Sequence, residues 1–219
     1  MSRIPGTELA GDVRGDLDDE HETAAAGGLT DRLIGWVLTA GGLVGALAAF
    51  ILTVEKMAVL KNPAYVPSCS INPILSCGSI MTTDQAEVFG FANPLIGLAA
   101  FPVVAATGTA MLARARLPRW WWLALQGGAV FGIGFVHWLF FQSLYRIGAL
   151  CPYCMIVWVV MILLFTYITL HNLDRDHLPA PRRFTDALLR VHSAIPTLWL
   201  LTLATLIGVQ FWSYWRTLI

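Results

Sequence analysis

The chain has 219 residues, a formal net charge of zero, 57% apolar residues and only 13% charged residues. That charged share is about half of the share in a typical globular domain. The composition excludes a disordered chain, an ordinary soluble domain and a nucleic-acid-binding protein with a basic face. Of the 14 acidic residues, 8 lie in the first 31 positions, and the rest of the chain is too apolar to face water. We therefore predict an all-α integral membrane protein with several spans.

The chain opens with a polar segment, residues 1–32, whose Gly, Asp and Glu content predicts a disordered tail. No apolar run precedes residue 33, so we do not expect a cleaved signal peptide. Each of the next predicted elements is a charge-free stretch long enough to cross a bilayer, which takes about 20 helical residues. The five stretches are Leu33–Val54, Val88–Ala113, Trp120–Tyr145, Ile147–Leu173 and Val191–Trp215. Only Arg146 separates the third stretch from the fourth, which predicts a tight helical hairpin.

A sixth charge-free run, Asn62–Thr83, is predicted to be part of a loop over residues 55–93. Its three prolines would leave backbone groups without hydrogen bonds in lipid. The chain then divides into a bundle over residues 33–173, a connection over 174–190, and a fifth helix with a short C-terminus over 191–219. We find no internal repeat.

Basic residues predict the orientation of the spans. The N-terminal tail and the connections around Arg114–Arg119 and Arg175–Arg190 hold 10 Lys and Arg residues, whereas the other three segments hold 4. Because cytoplasmic segments are enriched in Lys and Arg, we expect the tail to lie on the cytoplasmic side of a cell inner or plasma membrane. With five spans, the C-terminus is expected outside.

The chain has four cysteines, and this topology places all of them on the extracytoplasmic side, where disulfides form and persist. Cys69 and Cys77 lie in the proline-rich loop, where they could form a disulfide that only pins the loop. Cys151 and Cys154 form a Cys-Pro-Tyr-Cys motif at the start of the fourth span. A disulfide there closes too small a loop to add much stability. A helix N-terminus does, however, stabilise the thiolate that carries out disulfide exchange.

Two dithiols on one face of a membrane bundle suggest an electron relay. One pair would be reachable by a soluble protein, and the other by a lipid-soluble quinone. A zinc site is the alternative for the four cysteines, but no histidine lies near them in the sequence, and we expect no metal.

These motifs together resemble the vitamin K epoxide reductase family, in its bacterial quinone-dependent, disulfide-forming branch. The resemblance covers about residues 33 to 173: Cys69-x7-Cys77, then Asn93-Pro-Leu-Ile-Gly97 opening the second span, then Cys151-Pro-Tyr-Cys154. It implies a four-helix transmembrane bundle around a quinone, capped by the loop cysteines. Many bacterial members carry a fused thioredoxin-like domain after a fifth span. Because this sequence stops at Ile219, the resemblance implies a separate DsbA-like thioredoxin-fold partner.

The resemblance also implies residue roles. Cys69 would exchange with the partner's dithiol, Cys77 would pair with Cys69 and pass electrons to Cys151, and Cys154 would attack or transfer charge to the quinone. Asn93 would donate a hydrogen bond to a quinone carbonyl; a helix N-cap is the alternative role, and both can hold.

Two positions depart from the family pattern, and both are counted among the predicted cofactor-binding residues. Thr83 stands where many members have serine, and it keeps the hydroxyl. Trp158 stands where vertebrate members have tyrosine, which favours a plain quinone, menaquinone or ubiquinone, over an epoxide substrate.

Three further features have open interpretations. Arg146 either lowers a cysteine pKa or is an interfacial residue. His137 either shuttles protons or is a hydrogen-bonded interior residue. Glycines such as Gly41, Gly42, Gly45, Gly132 and Gly134 are expected to permit close helix packing.

We therefore expect a membrane oxidoreductase that reoxidises an extracytoplasmic disulfide oxidase and passes the electrons to a membrane quinone. The alternatives are a reductase of vitamin K epoxide-type quinones and a non-catalytic membrane protein with structural disulfides.

Overall fold

The structure is a computed structural model that describes the backbone of residues 7–216 and the side chains of residues 31–212, 214 and 216. This part of the chain is nearly all helical, and it includes one isolated parallel bridge between Leu75 and Leu150. Its helices are α1 (Thr7–Lys61), α2 (Cys77–Met81), α3 (Pro94–Leu112), α4 (Arg119–Gln142), α5 (Pro152–Asp174), α6 (Arg182–Arg190), α7 (Ala194–Gln210) and α8 (Trp212–Trp215). A 3₁₀ turn covers Asp84–Glu87 and a π turn covers Ser143–Ile147.

Four helical segments within the described residues are long and apolar enough to cross a membrane: Asp31–Lys61, Pro94–Leu112, Arg119–Ile147 and Pro152–Asp174. A fifth crossing is available if α6 and α7, which meet at an angle of 62°, count as one bent span. The predicted all-α membrane bundle with a fifth helix is therefore confirmed.

The predicted domain limits stay predictions. Residues 1–6 of the predicted disordered tail lie outside the described residues, and residues 7–30 are described only as backbone, within α1.

Two spans begin later than the sequence pattern suggested. Helix α3 begins at Pro94 instead of residue 88, because Gly90 takes a positive φ of 80° and Pro94 fits the first turn of a helix. Helix α5 begins at Pro152 instead of residue 147. The intervening residues form the π turn, a left-handed Gly148 with φ of 70°, and the bridge to Leu75. The hairpin between the third and fourth spans is thus wider than predicted.

Helix α5 is the centre of the bundle, with side chains such as Ile162, Leu164 and Ile168 at 0 to 1% exposure. Helix α1 packs closely against α3, because a Cβ on Gly42 would lie 2.5 Å from the backbone nitrogen of Ala105. Gly41, Gly45 and Gly132 also face neighbouring side chains, as predicted. The packing prediction is wrong for Gly134, which has nothing within 4 Å of an added Cβ.

The fifth helix is fastened to the bundle by side-chain hydrogen bonds. Trp199 Nε1 donates to His137 Nε2 at 2.9 Å, and His137 Nδ1 lies 2.8 Å from the carbonyl of Ile133. Gln210 Nε2 donates to the carbonyl of Leu144, in the π turn that precedes the Cys-Pro-Tyr-Cys motif, at 3.3 Å. Both ring nitrogens of His137 therefore have partners, which supports its role as a hydrogen-bonded interior residue.

Candidate redox site

Helices α1, α3, α4 and α5 enclose a cavity of about 460 Å³ that is lined mainly by apolar side chains. Its lining residues on α5 run from Cys154 to Ile168, so the cavity extends along several turns of the helix. Cys77, Cys151 and Cys154 lie at one end of it. An apolar cavity with a few polar groups at one end is typical of a site for a small apolar ligand.

The loop and the helix bundle bring the cysteines together. Cys69 and Cys77 form a disulfide, while Cys151 and Cys154 are free thiols. Cys77 Sγ lies 3.1 Å from Cys151 Sγ, although the two residues are 74 positions apart. The short bridge fixes this approach, since Leu150 N donates to Ile74 O and Ser76 N donates to Leu150 O. The backbone just before Cys77 is thus tied to the backbone just before Cys151.

A metal centre is a weaker interpretation of these sulfur atoms. The Sγ atoms of Cys69, Cys77 and Cys151 lie within 4.8 Å of one another. Two of them are joined to each other, however, and a metal ligand has to be a thiolate.

Cys151 has the environment of a nucleophile. It caps the N-terminus of α5, and its sulfur accepts a hydrogen bond from Cys154 N at 3.4 Å. The pKa of Cys151 lies below the ordinary value of a cysteine, because a hydrogen bond from the Cys154 side chain outweighs burial, and the N–H groups of Cys154 and Tyr153 add to the effect. Arg146 is exposed and is not among the causes of this pKa shift, which supports its interpretation as an interfacial residue.

The lowered pKa of Cys151 leads to a prediction about its reactivity with pH. Since a lower pKa keeps the thiolate present at lower pH, alkylation of Cys151 should continue below the usual cysteine midpoint of about 8.5. Cys154→Ala removes the largest cause and should move the midpoint of Cys151 alkylation to higher pH. The measurement is the rate of iodoacetamide modification of the fully reduced protein against pH, resolved by mass spectrometry of the peptide. Tyr153→Phe, which keeps the backbone N–H, serves as the control. An unchanged midpoint in Cys154→Ala would show that the Cys154 side chain is not the main cause of the lowered pKa of Cys151.

Asn93 lies in the cavity lining, as the prediction of a quinone-binding residue requires. Its Nδ2 donates to Gln85 O at 2.7 Å, and its Oδ1 accepts from Val88 N at 3.3 Å. Asn93 does occupy the N-cap position of α3, directly before Pro94, as the alternative predicts, but its side chain makes no capping hydrogen bond to the first turn. Because Nδ2 has two hydrogens, one remains available to a ligand in the cavity.

Of the other two predicted cofactor-binding residues, Trp158 lies in the cavity lining and Thr83 does not. Trp158 is buried, lines the cavity and packs edge-on against Phe140, with 4.8 Å between ring centroids. Thr83 is not among the residues that line the cavity, and its hydroxyl donates to Ile80 O at 2.7 Å. The structure therefore places Trp158 in the same cavity lining as Cys77, Cys151 and Cys154 and leaves Thr83 in a turn of the loop.

Sequence reasoning missed Lys56, which lines the same cavity and is only 8% exposed. Its Nζ donates to Met81 O at 2.6 Å and pairs with Glu87 at 2.7 Å. Both partners follow Cys77 in the chain, so Lys56 ties α1 to the segment that carries this cysteine. The available signal was a charged residue two positions after an apolar span. The sequence pattern does not distinguish a buried lysine at that position from an ordinary lysine in an exposed loop.

A family model described as "Vitamin K epoxide reductase family" matches residues 36–169, which is more than half of the chain and includes all four cysteines. No curated protein matches the chain.

Proposed function

The chain belongs to the vitamin K epoxide reductase family of membrane oxidoreductases, and from this premise we propose that it reoxidises a thioredoxin-fold disulfide oxidase. In this proposal the electrons pass through two cysteine pairs to a membrane quinone, as in the bacterial disulfide-forming branch of the family. The partner would be a separate, DsbA-like soluble protein. Cys69, Cys77, Cys151 and Cys154 would carry the reaction.

The observation that carries the proposal is the 3.1 Å approach of Cys151 Sγ to Cys77 Sγ. Exchange between two disulfides proceeds when a thiolate attacks a disulfide sulfur and forms a mixed disulfide. Cys77 belongs to a disulfide, and Cys151 is a free thiol whose pKa lies below the ordinary value. The contact thus brings together the two sulfur atoms that form the mixed disulfide, and it connects the loop pair to the pair at the cavity. The lowered pKa makes Cys151 a good leaving group when Cys69 attacks Cys77.

The reaction balances as two exchanges. In the first, a partner thiolate bonds to Cys69 sulfur and Cys77 leaves as a thiolate. The second partner thiolate then releases Cys69, which leaves the partner oxidised and the loop reduced. In the second exchange, Cys77 attacks the Cys151–Cys154 disulfide at Cys151, and Cys69 then attacks Cys77 and restores the loop disulfide. A loop disulfide beside two free thiols is the state expected after this second exchange.

The cavity is suited to a quinone ring, since apolar side chains from four helices surround it and few polar groups enter it. When bound, a quinone accepts two electrons and two protons from the Cys151–Cys154 dithiol. Asn93 would donate a hydrogen bond from its remaining N–H to a quinone carbonyl oxygen, and Trp158 would pack against the quinone ring. The Oγ1 of Thr83 is engaged outside the cavity, so we assign Thr83 to the folding of the loop.

We also propose that the cysteines lie on the extracytoplasmic side of an inner or plasma membrane. The 10 basic residues on one set of segments against 4 on the other support this orientation. An oxidising compartment is where a loop disulfide such as Cys69–Cys77 persists.

The test is reconstitution. Purified protein in lipid, given a reduced thioredoxin-fold protein and menaquinone, should form quinol and oxidise one partner dithiol for each quinol. Cys154→Ala should abolish quinol formation, because the dithiol at the cavity is lost. The matched control is Met155→Leu, the next residue along α5. Full turnover by Cys154→Ala would overturn the relay, and quinol formation without any thiol consumed would do the same.

A further inference from the structure

Cys69 is only 4% exposed, although it is the cysteine that the proposed function offers to a soluble partner. The loop must therefore move before a partner thiolate reaches the Cys69 sulfur. The contacts that hold this part of the loop closed decide which thiols gain access.

Two of those contacts come from one carboxylate, Glu55, near the end of α1. Glu55 Oε1 accepts from Ser68 Oγ at 2.5 Å and from Ser68 N at 3.4 Å. Ser68 directly precedes Cys69, so both hydrogen bonds act on the residue next to the buried sulfur. One carboxylate thus holds the residue before Cys69 through two hydrogen bonds.

Glu55 is itself 8% exposed, and its second oxygen, Oε2, is buried without a hydrogen-bond partner in the described part of the chain. A buried acceptor without a partner is costly, and it is uncommon in native structures. Opening the loop would return water to Oε2 while it breaks the two hydrogen bonds to Ser68. The closed loop is thus held at Oε1, while solvation of Oε2 in the open loop offsets part of the free energy of the two lost hydrogen bonds.

We propose that Glu55 is a specificity-determining residue, a latch that closes the loop over Cys69 through Ser68 and so excludes small thiols from the loop disulfide. A protein partner that binds the loop can open the latch with its own contacts, whereas a small thiol cannot. The inference rests on the proposed role of Cys69 as the partner-facing cysteine. It needs no assumption about the quinone.

The experiment measures reduction of the Cys69–Cys77 disulfide in the full-length protein in lipid, without added quinone. Dithiothreitol supplies two thiols and becomes a cyclic disulfide as the loop becomes a dithiol. N-ethylmaleimide stops the reaction, and mass spectrometry counts the labelled loop cysteines. We expect Glu55→Ala to accelerate the reduction roughly tenfold or more, since hydrogen bonds to a charged group are lost. Ser68→Ala should accelerate it less, because the Ser68 N–H still donates to Glu55.

The double variant should be no faster than Glu55→Ala, since both changes open the same contact. Thr53→Val is the matched control, because its hydroxyl bonds only Ala49 O within α1, and its rate should equal that of the wild type. Two readouts separate a latch from general loosening. Labelling of Cys154 should stay constant, and the rate with a thioredoxin-fold dithiol protein should rise far less than the rate with dithiothreitol.

An unchanged dithiothreitol rate in Glu55→Ala would overturn the latch, as would a proportional rise in Cys154 labelling. An equal acceleration with the protein dithiol would also overturn it, because no selectivity would be lost. Since every rate is recorded without quinone, failure of quinol formation would count against the proposed function and leave the latch standing.

Discussion

Replacing Cys151 with alanine is expected to lower quinol formation by at least about a thousandfold, because the sulfur that Cys77 attacks, and with it the cavity disulfide, is lost. Cys151 Sγ is 3.1 Å from Cys77 Sγ and has a lowered pKa. Without it, electrons delivered to the loop have no path to Cys154. The loop should then accumulate as the Cys69 and Cys77 dithiol when a reduced partner is in excess. The measurements are quinol absorbance and the alkylation state of each cysteine.

Comparison with Cys154→Ala separates the roles of the two motif cysteines. In that variant Cys151 can still attack Cys77 and release the Cys69 thiolate, but Cys154 is absent and cannot attack Cys151 to release Cys77. A Cys77–Cys151 disulfide should therefore accumulate, and peptide mass spectrometry should detect it. The Cys151→Ala protein should contain no such link. Substantial quinol formation by Cys151→Ala would show that the 3.1 Å contact is not the route of the electrons.

Replacing Gly108 with valine is expected to disrupt the packing of α1 against α3, at a cost of about 3 kcal/mol or more in unfolding free energy. A Cβ at Gly108 would lie 2.6 Å from Thr39 Oγ1 and 2.7 Å from Gly35 O, and it would also meet Thr39 N. Backbone atoms cannot move aside as a flexible side chain can. The two helices would have to separate, and the cavity that they enclose together with α4 and α5 would change its shape.

Thermal unfolding in detergent measures this effect, and loss of protection of Cys154 from alkylation reports on the cavity. Gly134→Val is the matched control, because it makes the same substitution where nothing lies within 4 Å. It should unfold within a few degrees of the wild type. A Gly108→Val protein as stable as Gly134→Val would show that the α1–α3 contact tolerates separation.

Much of the fold could be predicted because membrane spans are local features. A run of about 20 apolar residues predicts a crossing helix whatever surrounds it. The starts of α3 and α5 were predicted less well, because hydropathy does not distinguish an apolar loop residue from an apolar helix residue. Val88, Phe89 and Phe91 are apolar, yet they lie exposed in the loop before Pro94.

The candidate site was predictable to the extent that its residues carry a motif. Cys151-Pro-Tyr-Cys154 combines a helix start with two thiols, and its order and spacing together with Cys69, Cys77 and Asn93 indicate redox chemistry. Lys56 and Glu55 carry no such motif. They are charged residues at the end of a span, and only their burial against the loop distinguishes them from ordinary interfacial residues.

By itself, the sequence determined that this protein is a helical membrane protein with a Cys-Pro-Tyr-Cys motif at the start of one span, because composition and short spacings act locally along the chain. Only the tertiary structure decided that Cys77 meets Cys151, that Thr83 lies outside the cavity, and that Glu55 holds the residue before Cys69. These are contacts between segments far apart in sequence. Their geometry depends on how the helices pack and on the bridge between Leu75 and Leu150, which no local pattern records.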